Sequence, residues 1–375
     1  MAALSRWRAG FALAAGAAAL AAGGVAAGLE LERRIVGKRL LRLPPDNEPF
    51  FQLRADGPKV LTPDGVGLHT QIDDPAVVGS AGGPELTIVF VHGYALNLDC
   101  WHFQRKHFRA RQADPGDPEL KRARLVFYDQ RSHGRSTRAV PDNCRIPRLA
   151  DDLAQLLDEI VGSGRVILVG HSMGGMAIMH LARIRPDWFD ARSDAAIRVI
   201  GAALIATSAG EMADYSPIRG IPGRAFARIA PPLLATLNRV PNLVERGRRA
   251  SSDLGWVATK QWSFGRRDVP ASYVEFMARM LADTPLSVVA DFYPAFAELD
   301  ESAAMPVLAQ IETAVVGGAD DLLTPVRHTE QIIDWLPSAR SLILESCGHM
   351  GIIEWHRLIN PVLDDLVTRS VRSGA

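Results

Sequence analysis

Ser172 lies in Gly170-His171-Ser172-Met173-Gly174, directly behind the apolar run Arg165 to Val169 and ahead of a helix-forming stretch, Met176 to Arg185. A strand, a tight turn and a helix in that order can push a serine hydroxyl out at the strand end. Glycines at 170 and 174 let the backbone turn where a larger side chain would collide with its neighbours. A serine hydroxyl is a weak nucleophile at neutral pH, so it needs a base, and the base needs an orienting acid. His349, in Ser346-Cys347-Gly348-His349-Met350, follows an apolar run at Ser341 to Leu344 and precedes the last helix. It is the candidate base. His171 adjoins the serine, and its side chain is expected to pack below the turn. His133, His180, His328 and His356 have no comparable setting and read as surface or packing residues.

The acid is expected at a strand end between serine and histidine. Gly317 to Pro325 follows the strand candidate Glu312 to Val316 and carries Asp320 and Asp321, both open as candidates at this point. Negative charge developing on an attacked carbonyl needs backbone N–H donors. Met173 follows the nucleophile and opens a helix, whose dipole assists. Tyr94, in Val91-His92-Gly93-Tyr94 at the end of another apolar run, supplies the second donor.

The elements that must position these residues are legible as periodicity. Apolar runs at Leu86–Val91, Arg124–Tyr128, Val166–Val169 and Val199–Ala206 read as buried strands. Helical patterns separate them, such as Pro147 to Val161 with Leu149, Leu153, Leu156 and Ile160 on one face. That alternation predicts an α/β fold with a doubly wound, mainly parallel sheet. Thr62-Pro63-Asp64-Gly65 is turn chemistry, with Val66 to Ile72 alternating like a strand beyond it. From about 207 to 305 the alternation stops, and helical patterns take over: Tyr273, Phe276, Met277 and Met280, then a helix opened by Thr284 as cap and Pro285 in the first turn. Strands and helices resume after Met305. A helical insertion late in such a sheet predicts a lid above the strand ends.

At this point the chain resembles the α/β-hydrolase superfamily, specifically its lid-bearing esterase and lipase-like members, monoacylglycerol-lipase-like among them. The resemblance spans Val60 to Val371. It rests on Val91 to Tyr94, Asp129 to Ser136, Gly170 to Gly175, Gly318 to Asp321 with Pro325, and Gly348-His349. It implies Ser172 as nucleophile, His349 as base and Asp321 as acid, with Asp320 the alternative by one-residue slippage. The Asp129–Ser136 segment is structural in the family. The implied activity is hydrolysis of carboxylic esters, of lipids or acylglycerols, through an acyl-enzyme and without a cofactor. Three other readings stay open: transfer of the acyl group to another acceptor, carbon–carbon bond hydrolysis with the same residues, and a non-catalytic membrane-associated binding protein.

The bulk properties restrict partners more than they specify them. Lysine plus arginine and aspartate plus glutamate each total 42 in 375 residues, so nothing in the net charge calls for nucleic acid. Cys100, Cys144 and Cys347 have neither disulfide-framework nor zinc spacing, and no metal or protein partner is implied. Ala9 to Leu29 is a run of 21 uncharged residues between Arg6, Arg8 and a charged stretch at 30–34. It is long enough to span a hydrocarbon core of about 30 Å as a helix. Residues 1–43 therefore read as a single membrane anchor, or as an export signal lost by cleavage, and 44–375 as the hydrolase domain. Flanking charges do not decide which side of the membrane the domain occupies. Leu43 to Pro49 reads as a linker. Seven arginines and one acid between Arg219 and Arg249, among apolar positions, predict a basic amphipathic face on the lid, suited to anionic lipid or to solvent.

Overall fold

Along the central strands successive side chains enter two different cores. Val89, Val91 and Leu168 join one apolar cluster, while Ile88, Phe90, Ile167 and Val169 join a second. A sheet buried on both faces requires helices on both sides, and that is what the computed structural model of the chain contains. It describes residues 48–75, 84, 86–114, 116, 120–212, 259–266 and 268–374.

The strands are β1 (Val60–Leu61), β2 (Gly67–Leu68), β3 (Thr70–Asp73), β4 (Leu86–Val91), β5 (Ala123–Tyr128), β6 (Gly164–His171), β7 (Ile197–Ile205), β8 (Glu312–Gly318) and β9 (Arg340–Leu344). Helices α1 (His102–Gln112), α2 (Ile146–Ile160), α3 (Met173–Ile184), α4 (Ala271–Asp283), α5 (Leu286–Ala297), α6 (Val326–Trp335) and α7 (His356–Ser373) pack around them. Phe108 of α1 and Leu363 of α7 cover one face; Leu153 of α2, Met176 of α3 and Ile332 of α6 cover the other.

The seven-stranded sheet runs β3-β5-β4-β6-β7-β8-β9, and only β3 is antiparallel to its neighbour. The expected α/β, doubly wound, mainly parallel architecture is the one observed. From β4 the chain steps outward to β5 and then back across to β6. The carboxyl ends of β4 and β6 therefore flank a switch point, where open sheets of this kind bind ligands. Val91 pairs with Gly170 in that register, which sets the turn after β4 beside the turn after β6.

Two local expectations are corrected. The single strand at Val66–Ile72 is split at His69, whose N–H donates to the Ser136 hydroxyl oxygen at 2.8 Å instead of to a strand partner. Thr284 does not cap α5: its hydroxyl donates to the Ala95 carbonyl at 3.0 Å, and Pro285 holds the N-cap position without a side-chain bond. That bond ties the insertion to the loop after β4.

Of the stretch read as a linker, only Glu48 and Pro49 lie within the described residues. Glu48 accepts from His102 Nε2 at 2.8 Å and from Lys106 Nζ at 2.8 Å, and Phe50 stacks on Phe276 of α4 with ring centres 4.1 Å apart. Residues 48–51 are thus packed on the body. Among the described residues no helix is long and apolar enough to cross a membrane; Ala9–Leu29 and the basic stretch Arg219–Arg249 lie outside them.

Candidate active site

Ser172 follows the last residue of β6 with φ 53° and ψ −120°, a region that non-glycine residues avoid. The surroundings hold it there. Its N–H donates to Ile205 O at 2.9 Å, and its carbonyl accepts from the Thr207 hydroxyl at 2.7 Å. Gly174 lies against the Val91 and His92 carbonyls so closely that any Cβ would overlap them. A Cβ on Gly175 would sit 2.7 Å from Thr207 Oγ1. A Cβ on Gly170 would sit 2.7 Å from Gly175 N, so Gly170 and Gly174 are required by close approach, as the turn reading demanded, and Gly175 joins them.

Asp321 is buried just beyond β8, and Asp320 faces solvent. Asp321 Oδ1 accepts the N–H groups of Leu323 at 2.7 Å and Thr324 at 2.9 Å. Oδ2 accepts the Thr324 hydroxyl and His349 Nδ1–H, both at 2.8 Å. Burial pushes the carboxyl up, but the His349 charge and hydrogen bond, followed by the two N–H donors, outweigh it and hold Asp321 below the usual carboxylate range. With Nδ1 committed to Asp321, Nε2 is the ring nitrogen of His349 left to meet the serine. Among the described residues neither that Nε2 nor the Ser172 hydroxyl has a hydrogen-bond partner, so the two are not bonded to each other here. Contacts of this kind often tighten only when substrate arrives.

His171 packs beneath the turn, as expected, and does more there. Burial, with the His349 ring beside it, lowers its pKa to about 3, so it is neutral. Its Nε2–H donates to the His349 carbonyl at 3.0 Å, tying the serine turn to the loop that carries the base.

The turn after β4 lies against the serine: a Cβ on Gly93 would be 3.1 Å from Ser172 Cβ. Tyr94 N–H, next in the chain, has no hydrogen-bond acceptor among the described residues. Met173 is the first residue of α3, so its N–H has no intrahelical acceptor. Two histidines brace this turn: His133, read from the sequence as a surface or packing residue, and His92, for which that reading has no role of its own. His92 Nε2 accepts Gln130 N–H at 2.9 Å while its Nδ1–H donates to Gly93 O at 2.7 Å. His133 Nε2 accepts Ala95 N–H at 3.1 Å while its Nδ1–H donates to Arg131 O at 2.9 Å. Burial lowers them to about 3 and about 4, which fixes both as neutral struts. The Tyr94 hydroxyl donates to Val289 O of α5. The signal for the struts was the Asp129–Ser136 segment, whose Asp129 also accepts Leu98 and Arg135 N–H groups at 2.8 and 2.9 Å.

Residues 88–360 match the model of the alpha/beta hydrolase family. The chain belongs to that family. The acetyltransferase component of the acetoin cleaving system of Pseudomonas putida is 24% identical over 284 residues, covering 76% of this chain and 63% of that one. Lipase LipV of Mycobacterium tuberculosis is 35% identical over 122 residues, 32% of this chain and 38% of the lipase. The chain thus spans less than two thirds of either relative. An esterase from Exiguobacterium antarcticum has the same fold, with TM-score 0.62 at 15% identity, covering 83% of this chain and 99% of that one.

Proposed function

We propose that this protein is a hydrolase that cleaves carboxylic esters, including those of lipids, through an acyl-enzyme on Ser172. The observation that carries the reading is the buried Asp321–His349 pair at 2.8 Å, set in a loop bonded to the residue before Ser172. Ser172 Oγ attacks the ester carbonyl as its proton passes to His349 Nε2, and Asp321 stabilises the imidazolium through Nδ1–H. Tyr94 and Met173 N–H groups receive the oxyanion. The tetrahedral intermediate then expels the alkoxide, which takes the proton from His349. Water, activated by the same imidazole, repeats the sequence on the acyl-enzyme and releases the acid.

The lipid part of the reading is supported by the apolar Ala9–Leu29 run, the arginine-rich stretch 219–249, and the match to a lipase over 122 residues. A panel of p-nitrophenyl esters from acetyl to palmitoyl, followed by an emulsified monoacylglycerol, tests both parts. Turnover that rises with chain length is the expected result. A preference confined to acetyl and butyryl esters would remove lipid from the assignment, and no turnover on any ester would remove ester hydrolysis.

The same run is proposed to hold the enzyme at a membrane. Deleting Met1 to Glu32 is expected to release the protein to the soluble fraction and leave hydrolysis of a short soluble ester unchanged, because the cut lies ahead of the packed residues 48–51. Fractionation and assay of both forms check this. A full-length product already soluble and lacking its first residues by mass spectrometry would show a cleaved signal instead.

A further inference from the structure

Glu354 ends a short helical turn at Gly351–Glu354 behind the His349 loop, and only 5% of it is exposed. Its carboxylate takes three backbone N–H groups. Oε2 accepts Gly348 at 3.0 Å and Gly265 at 3.1 Å; Oε1 accepts Arg266 at 2.5 Å. Gly348 immediately precedes His349, whereas Gly265 and Arg266 belong to the insertion between β7 and β8. One oxygen therefore bridges the two segments.

Their backbones also meet directly. Met350 N–H donates to Ser263 O at 2.8 Å. A Cβ on Gly265 would sit 2.7 Å from Cys347 C and Gly348 N, and one on Gly348 would sit 2.6 Å from Gly265 N. Neither glycine tolerates a side chain without separating the segments. His349 is thus held on both sides of its main chain: His171 on its own carbonyl, Glu354 on the N–H before it. A buried carboxylate that collects three N–H donors leaves each of them costly to orphan.

We propose that Glu354 is a positioning residue that locks the His349 loop onto segment 263–266, so that this segment sets where the catalytic base sits. The inference rests on His349 being that base. It makes the 263–266 segment part of the frame for the base, in addition to any covering role of the insertion. Glu354 touches no reacting atom and acts only through the loop.

The test uses the full chain with a short p-nitrophenyl ester, rates being expressed per site titrated with a fluorophosphonate. Glu354→Leu keeps the volume and removes every acceptor. It is expected to lower kcat per titrated site by about 10- to 100-fold, the range for a displaced catalytic group, with KM little changed. Glu354→Gln, whose single oxygen can serve Gly348 and Gly265 together while its NH2 leaves the Arg266 N–H unpaired, is expected to recover part of that loss. Hydrogen exchange should accelerate in 263–266 and 347–350 together and stay unchanged in β6. If Glu354→Leu does not fold, Gly265→Ala carries the test, since it separates the same segments without touching the carboxylate; kcat per site should fall there too. Wild-type kcat per titrated site in Glu354→Leu or, in its place, Gly265→Ala would overturn the proposal. So would a loss residing in KM, or no recovery in the glutamine variant. Failure of the underlying assignment reads differently: the wild-type chain itself would neither label nor turn over.

Discussion

Ser172→Ala is expected to lower kcat on the order of a million-fold while the protein stays folded, the scale seen when a serine nucleophile is removed from a triad. The change deletes one oxygen that bonds nothing among the described residues. The positive φ at this position is imposed by the bonds to Ile205 and Thr207, by Gly174 packed on the end of β4 and by Gly175 packed on Thr207, none of which involve the hydroxyl. Alanine therefore inherits the same backbone. A stability change under 1 kcal/mol moves Tm by no more than about 4 °C in a chain of this size class. Covalent labelling by a fluorophosphonate should occur at Ser172 in the wild type and vanish in the variant. Labelling that persists would mean that another residue is the nucleophile, and a collapsed melting transition would mean that the hydroxyl has a structural role.

How far the sequence carries depends on whether a residue's partner is near it in the chain. The serine turn was legible because everything that defines it is local: an apolar strand, two small residues and a helix behind them. The sheet was legible because strands buried on both faces are continuous apolar runs. Asp321 and His349 each announced themselves by following a strand. Choosing Asp321 over Asp320 from the residues alone was not possible, because which of two consecutive carboxylates turns inward depends on how the loop after β8 lies against Cys347, whose carbonyl takes the Asp320 N–H at 3.0 Å. Glu354, His92 and the particular partners of His133, which reads from the sequence only as a surface or packing residue, were missed for a related reason. Each serves main-chain groups far away in sequence, so no spacing encodes the partnership. Thr284 looked like a cap because a polar residue before a helix usually is one; a competing carbonyl, Ala95 O, took its hydroxyl instead. The basic face expected over 219–249 lies outside the described residues.

Asp321→Asn should cost about ten-thousand-fold in kcat, and Asp320→Asn very little. The hydrogen bonds around Asp321 dictate how the amide would sit. Leu323 and Thr324 N–H groups both donate to Oδ1, so the asparagine must place its carbonyl oxygen there. Its NH2 then occupies the Oδ2 position, facing the Thr324 hydroxyl and His349 Nδ1. Two N–H donors cannot bond each other, so the imidazole gives up its Nδ1 proton and accepts from the amide instead. The remaining proton moves to Nε2, the nitrogen that must be bare to take the Ser172 proton. The variant keeps the size and packing of the site but holds the base in the wrong tautomer, and it no longer offers a negative charge to the imidazolium. Asp320 is exposed, and its hydrogen bond to the His349 loop, at Cys347 O, is made by its main-chain N–H, which asparagine retains. Steady-state kcat/KM of both variants on a short ester, with melting curves to show that each is folded, decides the matter. Equal losses, or a larger loss at Asp320, would move the acid to Asp320 and with it the geometry on which the proposed ester hydrolysis rests.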